Sequence, residues 1–203
     1  GVGYSLCECF LAGCWRVLAG QFMPEWPQLA ELKEKNPEAL EIISLDVGST
    51  ASVQAAAKTA AALCGHIDLL VSCAGIAGGD DYAKTRAIYN VNVAGAVRMV
   101  EAFLPLMQTG MKRLAFVSSE AGSVSVAHRD GGFAYTTSKT ALNMTVRRMF
   151  RTLQPQGYTF RLYHPGWVRS YMGGKKSTIG NFEPEETAAV AYRQFTSDRE
   201  AED

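Results

Sequence analysis

Five short apolar segments, each separated from the next by a helical stretch, constrain the fold of this chain most strongly. They are Trp15–Ala19, Leu40–Leu45, Ile67–Ser72, Arg113–Val117 and Thr159–Tyr163. Helical stretches are expected at about 3–12, 28–35, 50–64, 83–107, 134–153 and 184–196, with Gly13 placed to close the first of them. Strands that read as apolar runs and connect through helices belong to a parallel sheet covered on both faces. The pattern predicts an α/β fold, a Rossmann-type doubly wound parallel sheet. No Pro/Ser-rich linker or internal repeat divides the 203 residues, so a single domain over 1–203 is expected.

Charge and composition narrow the function classes. Twenty basic and twenty acidic residues cancel, and a pI near 7.0 supplies no basic field for nucleic acid or anionic lipid. No apolar run approaches the roughly 20 residues that span a bilayer, and Lys58 interrupts the Ala-rich stretch 55–64. Gly1-Val2-Gly3-Tyr4 does not read as a signal peptide. The cysteines Cys7, Cys9, Cys14, Cys64 and Cys73 have no recurrent spacing, and residues 7 and 9 of a helix point about 200° apart. With His66, His128 and His164 scattered elsewhere, no metal site is expected. Free thiols suit a reducing cytoplasm, the expected location.

Chemistry enters at Tyr135-Thr136-Thr137-Ser138-Lys139, where a phenol and an ammonium four residues apart share one helical face. A free tyrosine, with a pKa of about 10, is a poor proton donor or acceptor at neutral pH, and a nearby cation favours its phenolate. Tyr171 and Lys175 repeat the spacing, but Gly173-Gly174 between them breaks the helix that would align them. Only the first pair has a hydroxyl pair upstream. Ser118-Ser119 follows Phe116-Val117, at the carboxyl edge of a strand where ligands of such sheets bind.

With these residues in place, the chain resembles the short-chain dehydrogenase/reductase family over nearly its full length. The likeness rests on Gly1-Val2-Gly3, Asp46-Val47, Ser72-Cys73-Ala74-Gly75, Asn92 in Val91-Asn92-Val93-Ala94-Gly95, Ser119 in Ser118–Gly122, Tyr135 with Lys139, and Pro165-Gly166-Trp167-Val168-Arg169-Ser170. The run His164–Val168 followed by Met172-Gly173-Gly174 is similar to the branch of small carbonyl reductases and C-signal-like proteins. The resemblance implies an NAD(P)-dependent oxidoreductase interconverting a small carbonyl compound and an alcohol. It implies that Tyr135 passes the proton, Lys139 lowers the Tyr135 pKa and holds the nicotinamide ribose, Ser119 donates to the substrate oxygen, and Asn92 holds a water that links Lys139 to solvent. Gly1, Gly3, Gln21, Asp46, Val47, Cys73, Ala74, Gly75, Pro165, Gly166, Val168 and Ser170 would line the cofactor. A homodimer or homotetramer is implied, through the helices at 83–107 and 134–153. Met99, Met107, Met144 and Met149 on those helices are expected to pack in the core or between subunits. The alternative is a dinucleotide-binding sensor or signalling protein with little turnover.

The departures are specific. Ser72-Cys73 replaces the family's Asn-Asn, and Ser170 stands where Thr is commoner. A longer loop, His128–Gly132, separates Ser119 from Tyr135, and the stretch from Gly75 to Asn92 is short. Gly20-Gln21-Phe22 offers neither the acid that favours NAD nor the base that pairs with the NADP phosphate, and Gln21 as a ribose partner tilts the expectation towards NAD. Glu120 is expected to be a solvated loop carboxylate and His164 a packing residue at a strand end. The family's first, central strand and its last strand are not recognisable, so the sequence is expected to be incomplete at both ends; direct pairing of the strands holding Leu18 and Leu70 would contradict this. The Gly/Lys-rich segment after Ser170 suggests a small lid over an open site.

Overall fold

The computed structural model describes residues 1–126, 130–172 and 175–198. It contains seven α-helices, α1 (Val2–Ala12), α2 (Gln28–Lys35), α3 (Thr50–Leu63), α4 (Tyr82–Tyr89), α5 (Gly95–Phe103), α6 (Phe133–Leu153) and α7 (Pro184–Thr196), and five strands among the described residues. The strands are β1 (Val17–Gln21), β2 (Leu40–Ser44), β3 (Leu69–Ser72), β4 (Arg113–Val117) and β5 (Thr159–Tyr163). All pairings are parallel: β1 with β2, and β3–β4–β5 in that order. Leu18 pairs with Glu41 and Leu70 with Leu114, so β1 and β3 are not neighbours.

Period-two alternation sends the strand side chains into two layers. Leu114 and Phe116 of β4, Leu70 of β3 and Ile43 of β2 join Val53, Ala56 and Ala60 of α3, Val100 and Phe103 of α5, and Leu142 and Val146 of α6. Leu18 of β1 packs against the same cluster, so one hydrophobic layer unites the two sheet segments. On the opposite face Ala115 and Tyr163 meet Leu6 and Phe10 of α1 and Ala188, Ala191 and Phe195 of α7. The sheet is thus covered on both sides, as expected of a doubly wound fold. Met99 and Met107 lie in the first layer and Met149 packs against it, whereas Met144 is exposed.

Gly13 closes the first helix as its C-cap residue, as expected. Gly13 has φ −83°, and the left-handed residue is Cys14 (φ 63°). Cys14 N–H donates to Leu11 C=O and Trp15 N–H to Phe10 C=O (3.0 Å each), a Schellman ending that uses Trp15 and delays the strand to Val17. Glycine is needed at 13 for space, since a Cβ there would stand 2.0 Å from the Tyr192 hydroxyl of α7.

The helix expected at 83–107 is broken. A π-turn, Asn90–Ala94, separates α4 from α5, and a 3-10 turn at Leu104–Leu106 follows, where Pro105 lacks the N–H to continue the helix. Below the sheet, two buried arginines on adjacent strands hold α7. Arg113 donates to the carbonyls of Phe195 (2.8 Å) and Ser197 (2.9 Å), and Arg161 to those of Gln194 (3.2 Å) and Ser197 (3.1 Å). Those carbonyls form the partly negative end of α7, which favours cations.

Candidate active site

Sheet geometry and one long helix assemble the site at the carboxyl end of β4. Directly after the strand, Ser118 donates from its hydroxyl to Asn143 Oδ1 on α6 (2.6 Å), and Asn143 Nδ2 donates to Gly122 C=O (3.0 Å). These bonds clamp the 3-10 turn Glu120–Gly122 onto α6. Gly122 touches the helix so closely that a Cβ would lie 2.7 Å from the Lys139 carbonyl carbon. Asp80 contributes from the other side: its Oδ1 accepts from Ala134 N–H (2.9 Å), binding the loop before α4 to the first turn of α6. Tyr135 and Lys139 are thereby fixed relative to Ser119.

Lys139 is buried, and its Nζ donates to Val117 C=O (3.0 Å). The ammonium lies 5.7 Å from the centroid of the Tyr135 ring, so both side chains share one side of α6. Burial lowers the Lys139 pKa to about 8, and the neighbouring Cys73 thiol pulls the other way. Cys73 itself is pushed up to about 11 by burial, which keeps it a thiol. Where the family's amide is expected, this small apolar group packs beside α1, within 3.5 Å of a Cβ placed at Gly3.

Asn92 sits in the π-turn, and its side chain is committed. Its Oδ1 accepts from Ile76 N–H (2.8 Å), while Nδ2 donates to Ile76 C=O (2.9 Å) and to Ser138 Oγ (3.0 Å). Ser138 in turn donates to Tyr135 C=O (2.7 Å). The extra residue of a π-turn re-aims side chains, and here it points the amide across to α6. Gly75 lies between the two groups, since a Cβ there would be 3.5 Å from both Asn92 Oδ1 and Lys139 Nζ. Gly75 thus lies beside Lys139. Ser138, Asn143 and Asp80 were not singled out in the sequence, because their partners are 25 to 54 residues away.

The remaining residues expected to line a cofactor are distributed around the same edge. Gly1 caps α1, and the first intrahelical bond runs from Ser5 N–H to Gly1 C=O (3.1 Å). The N–H groups of Val2, Gly3 and Tyr4 therefore have no intrahelical partner and suit a phosphate. Gln21 ends β1, and Arg16, before that strand, donates to Leu63 C=O (2.8 Å). Asp46 Oδ1 accepts from Gly48 N–H (2.8 Å), so that carboxylate also makes a local turn. Val47 C=O accepts from Arg98 (3.2 Å). Beyond β5, Pro165 C=O accepts from Thr187 Oγ1 (2.7 Å), and Gly166 is left-handed (φ 77°) with Phe182 where a Cβ would be. Val168 bridges Phe182, and its C=O accepts from Ser170 N–H (2.8 Å). Gly173 and Gly174 of the expected lid, and His128 and Arg129 of the longer loop, lie outside the described residues. No group of three or more His, Cys, Asp or Glu side chains able to hold a metal occurs among the described residues.

Glu120 and His164 depart from expectation. Glu120 is half-buried, and its Oε2 accepts from Ser119 Oγ (2.9 Å) and lies 3.2 Å from His164 Nδ1. Glu120 N–H also donates to that nitrogen (3.2 Å). The carboxylate is part of the Ser119 site, and the imidazole is its support.

Known proteins share this fold and sequence pattern. The C-signal protein of Myxococcus xanthus is 41% identical over 122 residues, 57% of this chain and 74% of that protein. An uncharacterized oxidoreductase of Schizosaccharomyces pombe is 33% identical over 151 residues, 69% of this chain but 59% of the relative, so the match leaves about two fifths of that protein unaligned. Among solved structures, the NADPH-bound carbonyl reductase from chicken fatty liver superposes with a TM-score of 0.84 at 25% identity, covering 97% of this chain and 88% of that one. The carbonyl reductase Sniffer of Drosophila melanogaster gives 0.86 at 21% identity with the same coverages, a likeness of fold. The sequence pattern of the short chain dehydrogenase family matches residues 1–179, and this chain belongs to that family.

Proposed function

We propose that the protein is an NAD(P)-dependent oxidoreductase that interconverts a small carbonyl compound and an alcohol, with Tyr135 as general acid and base. The placement of Tyr135, Lys139 and Ser119 around the end of β4 carries this reading. A nicotinamide dinucleotide, when bound, supplies or accepts the hydride. Its phosphates suit the free N–H groups of α1, its adenosine ribose Gln21, its nicotinamide ribose Lys139, and its nicotinamide end the segment Pro165–Ser170. Asp46 and Val47 flank the adenine side, and Cys73, Ala74 and Gly75 form the floor between. Gln21 carries no charge for an NADP phosphate and Arg16 is turned to Leu63, which supports NAD; NADPH binding tenfold tighter than NADH in titration overturns that preference.

The chain's own residues divide the work. Tyr135 holds the proton that the carbonyl oxygen receives, and Lys139 favours the phenolate left behind. Ser119 donates to that oxygen as negative charge develops. Asn92, with its amide occupied by Ile76 and Ser138, is a positioning residue that ties the Gly75 segment to α6. A panel of aldehydes and ketones, read by NADH and NADPH absorbance, tests the reading. Turnover in the parent and a loss of at least 100-fold in Tyr135→Phe are expected; equal rates in both overturn it.

Similarity to the C-signal protein favours a second reading, dinucleotide binding without useful turnover. Tight binding with no turnover on the panel would select it. Tyr82, Phe133 and Met144 expose apolar surface on the packed helices α4 and α6, which supports a homodimer or homotetramer; a monomeric mass at micromolar concentration counts against it. No helix among the described residues is long and apolar enough to cross a membrane, and the free cysteines support a cytoplasmic setting.

A further inference from the structure

We propose that Glu120 sets the substrate specificity of this site, selecting carbonyl compounds that carry a hydroxyl on the carbon beside the carbonyl. The inference rests on the oxidoreductase reading above. Ser119 has a single proton, and it is donated to Glu120 Oε2 at 2.9 Å, while its oxygen accepts from Ala121 N–H at 3.2 Å. A plain ketone must take that proton away from a carboxylate, although its carbonyl oxygen is the weaker acceptor. A vicinal hydroxy-ketone avoids the loss. Its carbonyl accepts from Ser119 while its hydroxyl donates to Glu120, so the carboxylate exchanges one donor for another.

The spacing fits this exchange. Ser119 Oγ and Glu120 Oε2 stand 2.9 Å apart, close to the separation of the two oxygens of a vicinal hydroxy-ketone folded towards one partner. Glu120 is seated beside His164. Its own backbone N–H donates to His164 Nδ1 (3.2 Å), and the same nitrogen, when protonated, donates to Oε2 (3.2 Å). The turn behind it is locked onto α6 through Gly122 and Asn143.

The test compares hydroxyacetone with methoxyacetone, which keeps the electron-withdrawing oxygen but has no proton to donate. The parent is expected to favour hydroxyacetone in kcat/KM by about tenfold, the worth of one charge-assisted hydrogen bond. Glu120→Ala should erase that preference, lowering kcat/KM for hydroxyacetone more than for methoxyacetone. Glu120→Gln, which keeps the size and a hydrogen bond to Ser119, should retain a smaller preference and covers the case in which the alanine variant fails to fold. A purely structural role for Glu120 would lower both substrates together, and an unchanged ratio in both variants overturns the proposal. Binding without turnover provides the separate readout: by calorimetry, 1,2-propanediol should bind the parent more tightly than 1-methoxy-2-propanol and lose that advantage in Glu120→Ala. If neither ketone is reduced but the diol preference holds and depends on Glu120, the oxidoreductase reading fails and the recognition stands. If both ketones are reduced equally by the parent, the recognition fails and the oxidoreductase reading stands.

Discussion

Replacing Lys139 with Met changes the pH dependence of stability in a direction fixed by its burial. The ammonium is buried with Val117 C=O as its hydrogen-bond acceptor, and burial brings its pKa from 10.5 down to about 8. The folded state therefore binds this proton less tightly than the unfolded chain. Below pH 8 both states are protonated and the full burial cost is present. As pH rises from about 8 towards 10.5 the folded lysine has released its proton and the unfolded one has not, so the parent gains stability. Integrated between pH 7 and 9.5, the gain is about 2 kcal/mol. Cys7 and Cys73, pushed up by burial to about 12 and about 11, remain thiols in the folded state over this range and are shared by both proteins, so they cancel in the difference. Urea unfolding of parent and Lys139→Met near pH 7 and near pH 9.5 measures it. With a slope of about 2 kcal/mol per molar, the difference between their midpoints should move by about 1 M in favour of the parent at the higher pH. The lost bond to Val117 C=O offsets both measurements equally. A difference that stays constant across pH refutes the buried ammonium, and with it the cation proposed to favour the Tyr135 phenolate.

Gly122→Ala places a Cβ 2.7 Å from the backbone of Lys139, and overpacking there should cost about 1–3 kcal/mol in urea unfolding and depress turnover along with stability. Asp80→Ala removes the acceptor for Ala134 N–H at the start of α6; a loss of about 1 kcal/mol is expected, with faster hydrogen exchange in the first turn of that helix. Ser49→Ala deletes the hydroxyl that accepts from Ser52 N–H at the start of α3 and should cost about 1 kcal/mol without altering turnover. Alkylation with iodoacetamide near pH 8 should label exposed Cys14 first, while half-buried Cys7 and Cys73, whose thiols burial pushes up, react much more slowly than in the unfolded chain. Equal labelling of all three in the native protein contradicts their burial.

What the sequence made legible follows from the range of the interactions involved. The spacing of Tyr135 and Lys139 is local to one helix, and Ser118-Ser119 ends an apolar run, so both were readable from neighbours alone. The strand β4 matches its expected bounds because all five residues are buried and apolar or, for Arg113, anchored. β1 starts two residues later than expected because Cys14 and Trp15 are taken up in closing α1, with Trp15 N–H bonded back to Phe10 C=O. The π-turn at Asn90–Ala94 leaves no trace in periodicity, since one extra residue does not disturb an apolar stripe enough to be seen. Glu120 and His164 meet across 44 residues of sequence. Their contact depends on β4 and β5 pairing in parallel with Val117 opposite Tyr163, a register that no local pattern contains.

The mid-sheet position of β4 has a mechanical consequence. Strands β3 and β5 hydrogen-bond to both of its edges and helices cover both of its faces, so its amides open only when the larger sheet segment comes apart. Ser118 and Ser119 are carried on its end and the Lys139 ammonium is tied to its last carbonyl, which mounts the proton-handling groups on the stiffest beam in the molecule. Gln21 ends β1 and Asp46 follows β2, the two-strand ribbon that makes a lighter arm with one ladder of hydrogen bonds. The chemistry is bolted down, and the compliance needed to admit a long, jointed ligand is left to the other arm.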